Sequence, residues 1–437
     1  MARRLRKKRI AIILLTFTAI VAWSTHSCVS RCTSSSDKEK AKDTLPKAHI
    51  NDSISNALTE GKEYHKMDSL VERYLKRWEI NGAQIVITRN DSLLYARGFG
   101  WADKERGIRM EPNMLMRFAS ISKLITAVGI MKLQEMKKLK MNEKVFGPKG
   151  ILNDTTYNNS IKDQRYYNIT VEQLLRHQAG FNNYAGDPVS STRYIMMQNR
   201  LTTPPDHKTL LKILLKRHLG YTPGEGKCYS NLGYMILSMI IEKKSRMKYE
   251  NFMQKYVLQP AGCYDMHIAG TYYKDRRPNE TKYYMHQGSI PVYEYNNSGR
   301  MVEKCYGDTD LPRLSGAGAW CGSAAELSRL IASIDGLPHV KDILSQKSIQ
   351  FMTTEQPDHQ YSIGWNYTPK SNRPWIRTGS LAGTSAIILK YPDGQCWILI
   401  TNTSTWKGHG FSNDTMAFFE KLRKQFMSDM PKKDMFI

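Results

Sequence analysis

Ala83-Gln-Ile-Val-Ile-Thr-Arg89 and Ser92-Leu-Leu-Tyr-Ala-Arg-Gly98 flank the pair Asn90-Asp91. Near the other end of the chain, Thr384-Ser-Ala-Ile-Ile-Leu-Lys-Tyr391 and Cys396-Trp-Ile-Leu-Ile-Thr-Asn402 flank Pro392-Asp-Gly394. Each pair reads as a β-hairpin: two runs rich in β-branched and aromatic residues, joined by a short segment of turn formers. Hairpins pair antiparallel, because parallel neighbours need a long crossover between them. Strands at both ends of the chain and none as clear in the middle predict an α+β fold. One antiparallel sheet is built from N- and C-terminal strands, flanked by helices, with a central, mostly helical lobe.

The helices follow from spacing and caps. Met67, Leu70, Tyr74, Leu75 and Trp78 recur at helical intervals. Ser120 opens a helix carrying Leu124, Ile125, Val128, Met131, Leu133 and Met136. Thr170 with Gln173, and Ser323 with Glu326, form capping-box patterns. Residues 233–258 read as one long helix, and residues 414–427 as a closing amphipathic one. Residues 180–225 and 265–312, rich in turn formers and Tyr, read as surface excursions.

Composition narrows the classes. The chain has 437 residues, 41% of them hydrophobic and 10% aromatic, which is enough for a large core. That excludes a disordered chain, a collagen-like repeat and a small disulfide scaffold. A mean hydropathy of −0.50 excludes a multi-span membrane protein. The net charge is +24, from 64 Lys+Arg against 40 Asp+Glu. Six of those bases, Arg3, Arg4, Arg6, Lys7, Lys8 and Arg9, stand in the first ten residues. The remaining excess is diffuse. It forms no basic ladder interleaved with aromatics and no groove-reading or zinc motif, so nucleic acid is not an expected partner.

The basic cluster precedes an apolar run from Ile10 to Trp23. A basic n-region before such an h-region is the pattern of a secretory signal or a short N-terminal anchor. Residues 1–28 are therefore read as signal or anchor, 29–62 as a polar linker and 63–437 as the functional domain. Basic flanks stay on the cytoplasmic side, so the domain is expected outside the inner membrane, exported and tethered, or secreted if the signal is cleaved. Cys28 and Cys32 follow the run, but Thr25-His-Ser27 is a poor lipidation site. The five later cysteines, Cys228, Cys263, Cys305, Cys321 and Cys396, show no metal-ligand spacing and read mainly as small buried thiols.

One motif carries chemistry. Ser120-Ile-Ser-Lys123 places a hydroxyl and an amine one helical turn apart on one face. A Ser at a helix N-terminus sits at the positive end of the dipole, beside free N–H groups. The spacing alone is cheap, since Ser35, Ser245 and Ser404 repeat it. Tyr229-Ser-Asn231 is cheap as well, recurring in form at Tyr157, Tyr166 and Tyr295. Arg377-Thr378-Gly379-Ser380 holds the chain's one Thr-Gly pair. What discriminates is order and setting: Ser at a helix start, Tyr-Ser-Asn before a second helix, Thr-Gly entering a C-terminal strand.

In that order, residues 65–425 resemble the serine β-lactamase and penicillin-binding-protein superfamily, nearest its class C β-lactamase-like and D-amino-peptidase/esterase branch. The surrounding residues agree: Phe118-Ala-Ser-Ile-Ser-Lys-Leu-Ile-Thr-Ala127, Ile169-Thr-Val-Glu-Gln-Leu-Leu-Arg-His-Gln-Ala-Gly180, Tyr229-Ser-Asn-Leu-Gly-Tyr234 and Gly379-Ser-Leu-Ala-Gly-Thr-Ser385. The resemblance implies a Ser-acyl mechanism on a small-molecule or peptide amide or ester, with no cofactor and no metal. Ser120 would be the nucleophile, with Lys123 and Tyr229 acting together as general base. Asn231 would orient substrate or Lys123, and the backbone N–H groups of Ser120 and Ser380 would hold the oxyanion. Thr378, Gly379 and Ser380 would wall the substrate site. Arg377 stands where the family usually has Lys or His. An Arg offers a planar fork for a carboxylate but no proton to shuttle, which makes it a candidate for binding a substrate carboxylate. Two alternatives stay open, a class C-type β-lactamase and a non-catalytic binding or sensor relative. His177 and Cys228 read as packing residues, and Trp365 as core or site wall.

Overall fold

The computed structural model describes residues 49–184, 186–355, 361–408, 410–431 and 433–436. The expected signal or anchor and the first part of the linker lie outside them. Among the described residues no helix is long and apolar enough to cross a membrane.

The two sequence-predicted hairpins form one six-stranded antiparallel sheet. Its strands are β1 (Gly82–Arg89), β2 (Ser92–Asp103), β3 (Ile108–Arg109), β9 (Trp375–Leu381), β10 (Thr384–Lys390) and β11 (Gln395–Thr401), in the order β3-β2-β1-β11-β10-β9. The first and last strands in sequence meet at its centre, where β1 runs antiparallel to β11 from Ala83 opposite Thr401 to Arg89 opposite Gln395. Asn90 and Asp91, at φ 48° and 63°, supply the left-handed pair a two-residue hairpin turn requires. The strand period of two then sorts side chains onto two faces. Val86, Ile388, Ile398 and Ile400 join the large core of the helical lobe. Ile85, Ile87, Ile387, Leu389, Trp397 and Leu399 meet helix α1 (His65–Arg77) and the C-terminal helix α7 (Gly410–Phe426). Burial on both faces explains why β10 and β11 read as unbroken apolar runs.

The helical lobe is built around α2 (Ser122–Glu135) and α4 (Asn231–Ser245), both almost wholly buried. The short α3 (Val171–Leu175) and α5 (Ser315–Gly318) pack beside them, and α6 (Ala324–Ala332) bridges to β1. A second sheet joins β4 (Met116–Arg117), β8 (Trp320–Gly322) and β5 (His267–Ile268), and a small ribbon pairs β6 (Val292–Tyr293) with β7 (Met301–Val302).

Four expectations change. The helix read at 233–258 ends at Ser245, because Arg246 adopts φ 60° and closes the turn by donating its N–H to Glu242 O. The segment Arg377–Ser380 does not merely lead into a strand. It is part of β9, the edge strand of the large sheet, whose outer side is bridged at Ile376 by Tyr367. The polar linker does not extend to residue 62: Ile50–Ser53 is helical, and Asn51 and Ile54 are buried. Its polarity had a structural use, since the Asn51 amide donates to Asp265 Oδ2 and accepts from Ser323 Oγ, while Asn56 Oδ1 accepts the N–H of Gly98. Residues 265–312 are not all surface, for Glu280, Tyr283, Glu294 and Tyr306 are buried there and Tyr283 packs with Cys305 and Tyr306.

Candidate active site

Ser120 lies in a single 3-10 turn, Ala119–Ile121, that feeds directly into α2. The helix proper therefore starts two residues later than expected. Ala119 adopts φ 50°, a left-handed conformation costly for a residue with a Cβ and maintained by its surroundings. Lys123 is fully buried, and its ammonium donates to Ser120 Oγ at 3.4 Å, Asn231 Oδ1 at 2.6 Å and Ala317 O at 2.7 Å. Those three acceptors match the three protons of a charged ammonium. Burial pushes its pKa down, and the Arg377 charge adds to that, against the pull of Tyr229.

Tyr229 comes from the loop before α4, and Asn231 is the first residue of that helix. Ser230 is the N-cap, its Oγ accepting the N–H of Gly233. The capped helix start fixes Asn231 beside Lys123, with its own N–H donating to Asp187 Oδ2 at 3.0 Å. Lys123 Nζ lies 4.7 Å from the centroid of the Tyr229 ring. Burial alone raises the Tyr229 phenol, but Lys123 and Arg377, with hydrogen bonds from Lys123 and Ser120, outweigh it and hold it below the usual 10. His177 packs behind that ring at 4.6 Å, its Nδ1 accepting the N–H of Ser230 at 3.1 Å. Burial and the two nearby cations push its pKa well down, so it is a neutral packing histidine.

Gly379 is required by proximity. A Cβ there would stand 2.3 Å from Phe118 O and 3.1 Å from Ser120 N, so only glycine lets β9 lie against the backbone of residues 118–120. Thr378 and Ser380 flank it at the mouth of a cavity of about 330 Å³. The cavity also takes in Ser120, Tyr229, Tyr361, Asn366 and Ser412. Arg377 departs from its expected place. It is only 1% exposed and lines no part of this cavity among the described residues. Its guanidinium turns to Ser120, donating Nε and Nη2 to Ser120 O, with Nη1 3.4 Å from Asn366 Oδ1. The physical reason is strand alternation: Arg377 shares a face with Gly379, and that face packs on residues 118–120.

The structure thus brings Ser120, Lys123, Tyr229, Asn231, Thr378, Gly379 and Ser380 together, with Arg377 behind them. It adds residues that sequence reasoning missed. Asp187 anchors Asn231, Asn366 accepts the N–H of Thr378 at 2.9 Å, and Tyr361 and Ser412 shape the cavity. Only Trp365 hinted at this segment, and it is itself a buried core residue packed edge-on against Trp375. Cys228 sits in the loop with its Sγ 3.8 Å from Tyr229 O.

One buried group among the described residues has metal-ligand types: His267, Glu280 and Cys321, their donor atoms within 4.8 Å of one another. Glu280 already accepts from Tyr283 Oη at 2.9 Å, and His267 Nδ1 lies 3.0 Å from Asp265 O. The group lies in the small sheet and lines no part of the Ser120 cavity. The five described cysteines are free thiols.

Comparison with known proteins places the fold and the family. The chain is 24% identical over 351 residues to penicillin-binding protein 4* of Bacillus subtilis, covering 77% of this chain and 70% of that one. It is 27% identical over 233 residues to protein flp of Staphylococcus aureus, spanning 52% of this chain and 42% of that protein. Among solved structures, D-amino acid amidase from Ochrobactrum anthropi SV3, complexed with D-phenylalanine, superposes with a TM-score of 0.65 at 18% identity, over 84% of this chain and all of that one. The sequence model of the Beta-lactamase family matches residues 67–417, spanning all the elements that carry the site from α1 to the start of α7. The chain belongs to the beta-lactamase family.

Proposed function

We propose that the protein is a serine acyl hydrolase that cleaves an amide or ester, such as a cell-wall peptide, through an acyl-enzyme at Ser120. The observation that carries this reading is the division of labour between two buried groups: Lys123 meets three acceptors that match the protons of a charged ammonium, and the adjacent Tyr229 phenol is held below its usual pKa. A phenol becomes a usable base near neutral pH only when cations stabilise its phenolate. Lys123 therefore serves as the fixed charge, and Tyr229 takes the proton.

Ser120 Oγ attacks the carbonyl carbon while its proton passes to the Tyr229 oxygen. The negative charge on the substrate oxygen is held by the backbone N–H groups of Ser120 and Ser380, each such donor contributing about 2.7–4 kcal/mol. Tyr229 then returns the proton to the departing amine or alcohol as the tetrahedral intermediate collapses to the acyl-enzyme. A water, deprotonated by the same phenolate, attacks the ester and releases Ser120. The Asn231 amide, with its oxygen taken by Lys123, keeps its NH2 group for a substrate carbonyl.

The six bases before the apolar run of residues 10–23 support export of this activity to the cell envelope. Cell fractionation tests that location. For the chemistry, purified protein is incubated with a fluorophosphonate and a fluorescent penicillin beside Ser120→Ala. Ser120-dependent labelling by the fluorophosphonate is the expected result. Labelling by neither probe overturns the enzyme reading, and labelling by penicillin with rapid turnover assigns the site to β-lactam hydrolysis.

A further inference from the structure

We propose that Arg377 works behind the nucleophile as a positioning residue rather than at the substrate, and that the cavity accordingly selects acyl donors that are uncharged beyond the scissile bond, amides or esters in preference to free carboxylates. This rests on the serine acyl-hydrolase reading above and names its substrate class.

Three observations converge. First, the Arg377 guanidinium is buried and directs both Nε and Nη2 at one carbonyl, Ser120 O. A fork that grips the nucleophile's own backbone is not open to grip a carboxylate. Second, this orientation is fixed by sheet geometry and not by a free rotamer. Arg377 pairs with Ile388, Gly379 with Ala386, and both residues of β9 face the 118–120 backbone. Turning the side chain to the cavity would require a one-residue slip of β9, which would also drive Thr378 into Phe118 O, where only glycine fits. Third, the cavity wall among the described residues holds hydroxyls and one carboxamide, that of Asn366, with no Lys, Arg, Asp or Glu. The Asn366 oxygen is already taken by Thr378 N–H, with Arg377 Nη1 close by.

A carboxylate entering this wall loses hydration and finds, among the described residues, hydroxyl donors but no exposed cation to replace it. A carboxamide or ester loses far less and finds the same donors. The two positive charges of the site stay useful in another way. Lys123 and Arg377 both bear on Tyr229 and lower its proton affinity, and Arg377 also fixes the carbonyl adjacent to the attacking Oγ.

The test uses two arms on the purified protein, after Ser120-dependent fluorophosphonate labelling has established the enzyme. In the first, matched N-acetylated dipeptides that differ only in a C-terminal carboxylate or carboxamide are compared, each in D and L forms. The carboxamide is expected to have at least tenfold higher kcat/KM. A carboxylate that is turned over equally well or better overturns the selectivity. In the second arm, p-nitrophenyl acetate hydrolysis is followed against pH for wild type, Arg377→Lys and Arg377→Gln. Losing the cation in Arg377→Gln raises the proton affinity of Tyr229, so the rising limb moves to higher pH by about one unit. Arg377→Lys keeps the limb near its wild-type position while kcat falls, since an ammonium cannot form the fork on Ser120 O. A limb that stays in place in Arg377→Gln, with only a raised KM for the carboxylate peptide, assigns Arg377 to substrate binding and overturns the proposal. The first arm needs no variant and stands even where a substitution prevents folding. Absence of labelling instead removes the parent reading, which separates the two failures.

Discussion

Two buried charge clusters flank the large sheet, and they are built with opposite balance. At the Ser120 end, two cations, Lys123 and Arg377, meet one weak acid, Tyr229. At the hairpin end, two carboxylates, Asp91 and Asp335, meet one buried cation, Lys390, whose Nζ lies 2.5 Å from Asp335 Oδ2 and 3.8 Å from Asp91 Oδ1. The cation excess holds the Tyr229 phenol below 10. At the other cluster, burial and then the neighbouring Asp335 push Asp91 up to about 7. Both sites store an unfavourable ionisation. Tyr229 itself lines a cavity, where the shifted acid can meet a substrate, whereas Asp91 stays buried behind Asn90, Ser92 and His339, which line a separate cavity. The comparison teaches that the sign of the surplus charge decides what a buried cluster can do: a surplus cation makes a base, and a surplus carboxylate holds on to a proton.

The largest expected effect tests the first half of that statement. Tyr229→Phe removes the base and leaves the ring packed on His177, so ester kcat/KM falls by about 10²–10⁴ with little change in the denaturation midpoint. A variant retaining a tenth or more of the wild-type rate would break the assignment. The wild-type profile carries the sign: activity needs the phenolate, so kcat/KM rises with pH to a midpoint below 10.

Gly379→Ala tests the close approach that separates the two clusters. Its Cβ meets Phe118 O, a backbone atom that cannot swing away, so β9 is pushed off the nucleophile. We expect a stability loss of about 1–3 kcal/mol and a rate loss beyond what that explains, read from urea denaturation and ester turnover at one temperature.

Asp91→Asn probes the opposite surplus. In the folded protein Asp91 titrates near 7, against about 3.8 unfolded, so the folded state binds the extra proton between those values. Wild-type stability therefore falls as pH rises from about 4 to 7, with a slope no steeper than about 1.4 kcal/mol per pH unit. The variant loses that slope and is expected to be the more stable of the two at pH 8, by about 1–2 kcal/mol. An unchanged slope in urea midpoints across this range would show that the Asp91 carboxyl is not the proton store. The smallest effect belongs to Cys228→Ser, whose side chain meets loop backbone groups of Tyr229 and Asn183, and ester turnover should change less than threefold.

The hairpins were legible because their information is local. Asn90-Asp91 specifies a left-handed turn, and the runs beside it specify strands. The Ser120–Lys123 pair was legible for the same reason, since three residues make a helical turn. The Thr170 and Ser323 caps also held, although Glu326 does not close its box: its Oε1 accepts the N–H of Asp265 instead. The site's remaining members were not legible. Asp187, Tyr361, Asn366 and Ser412 sit in segments with no periodicity, and their meeting depends on contacts across tens to hundreds of residues.

Arg377 marks the boundary between the two kinds of information. Its sequence neighbours announced a motif, yet which way its side chain points depends on the register of β9 against β10, where Arg377 stands opposite Ile388. A strand has two faces and a period of two, so one step in register exchanges them. By itself the sequence determined the two hairpins, the Thr170 and Ser323 caps, the turn from Ser120 to Lys123 and the family. The tertiary structure alone decided that Arg377 faces the Ser120 carbonyl and not the cavity, because only the assembled sheet fixes which face of its edge strand is buried.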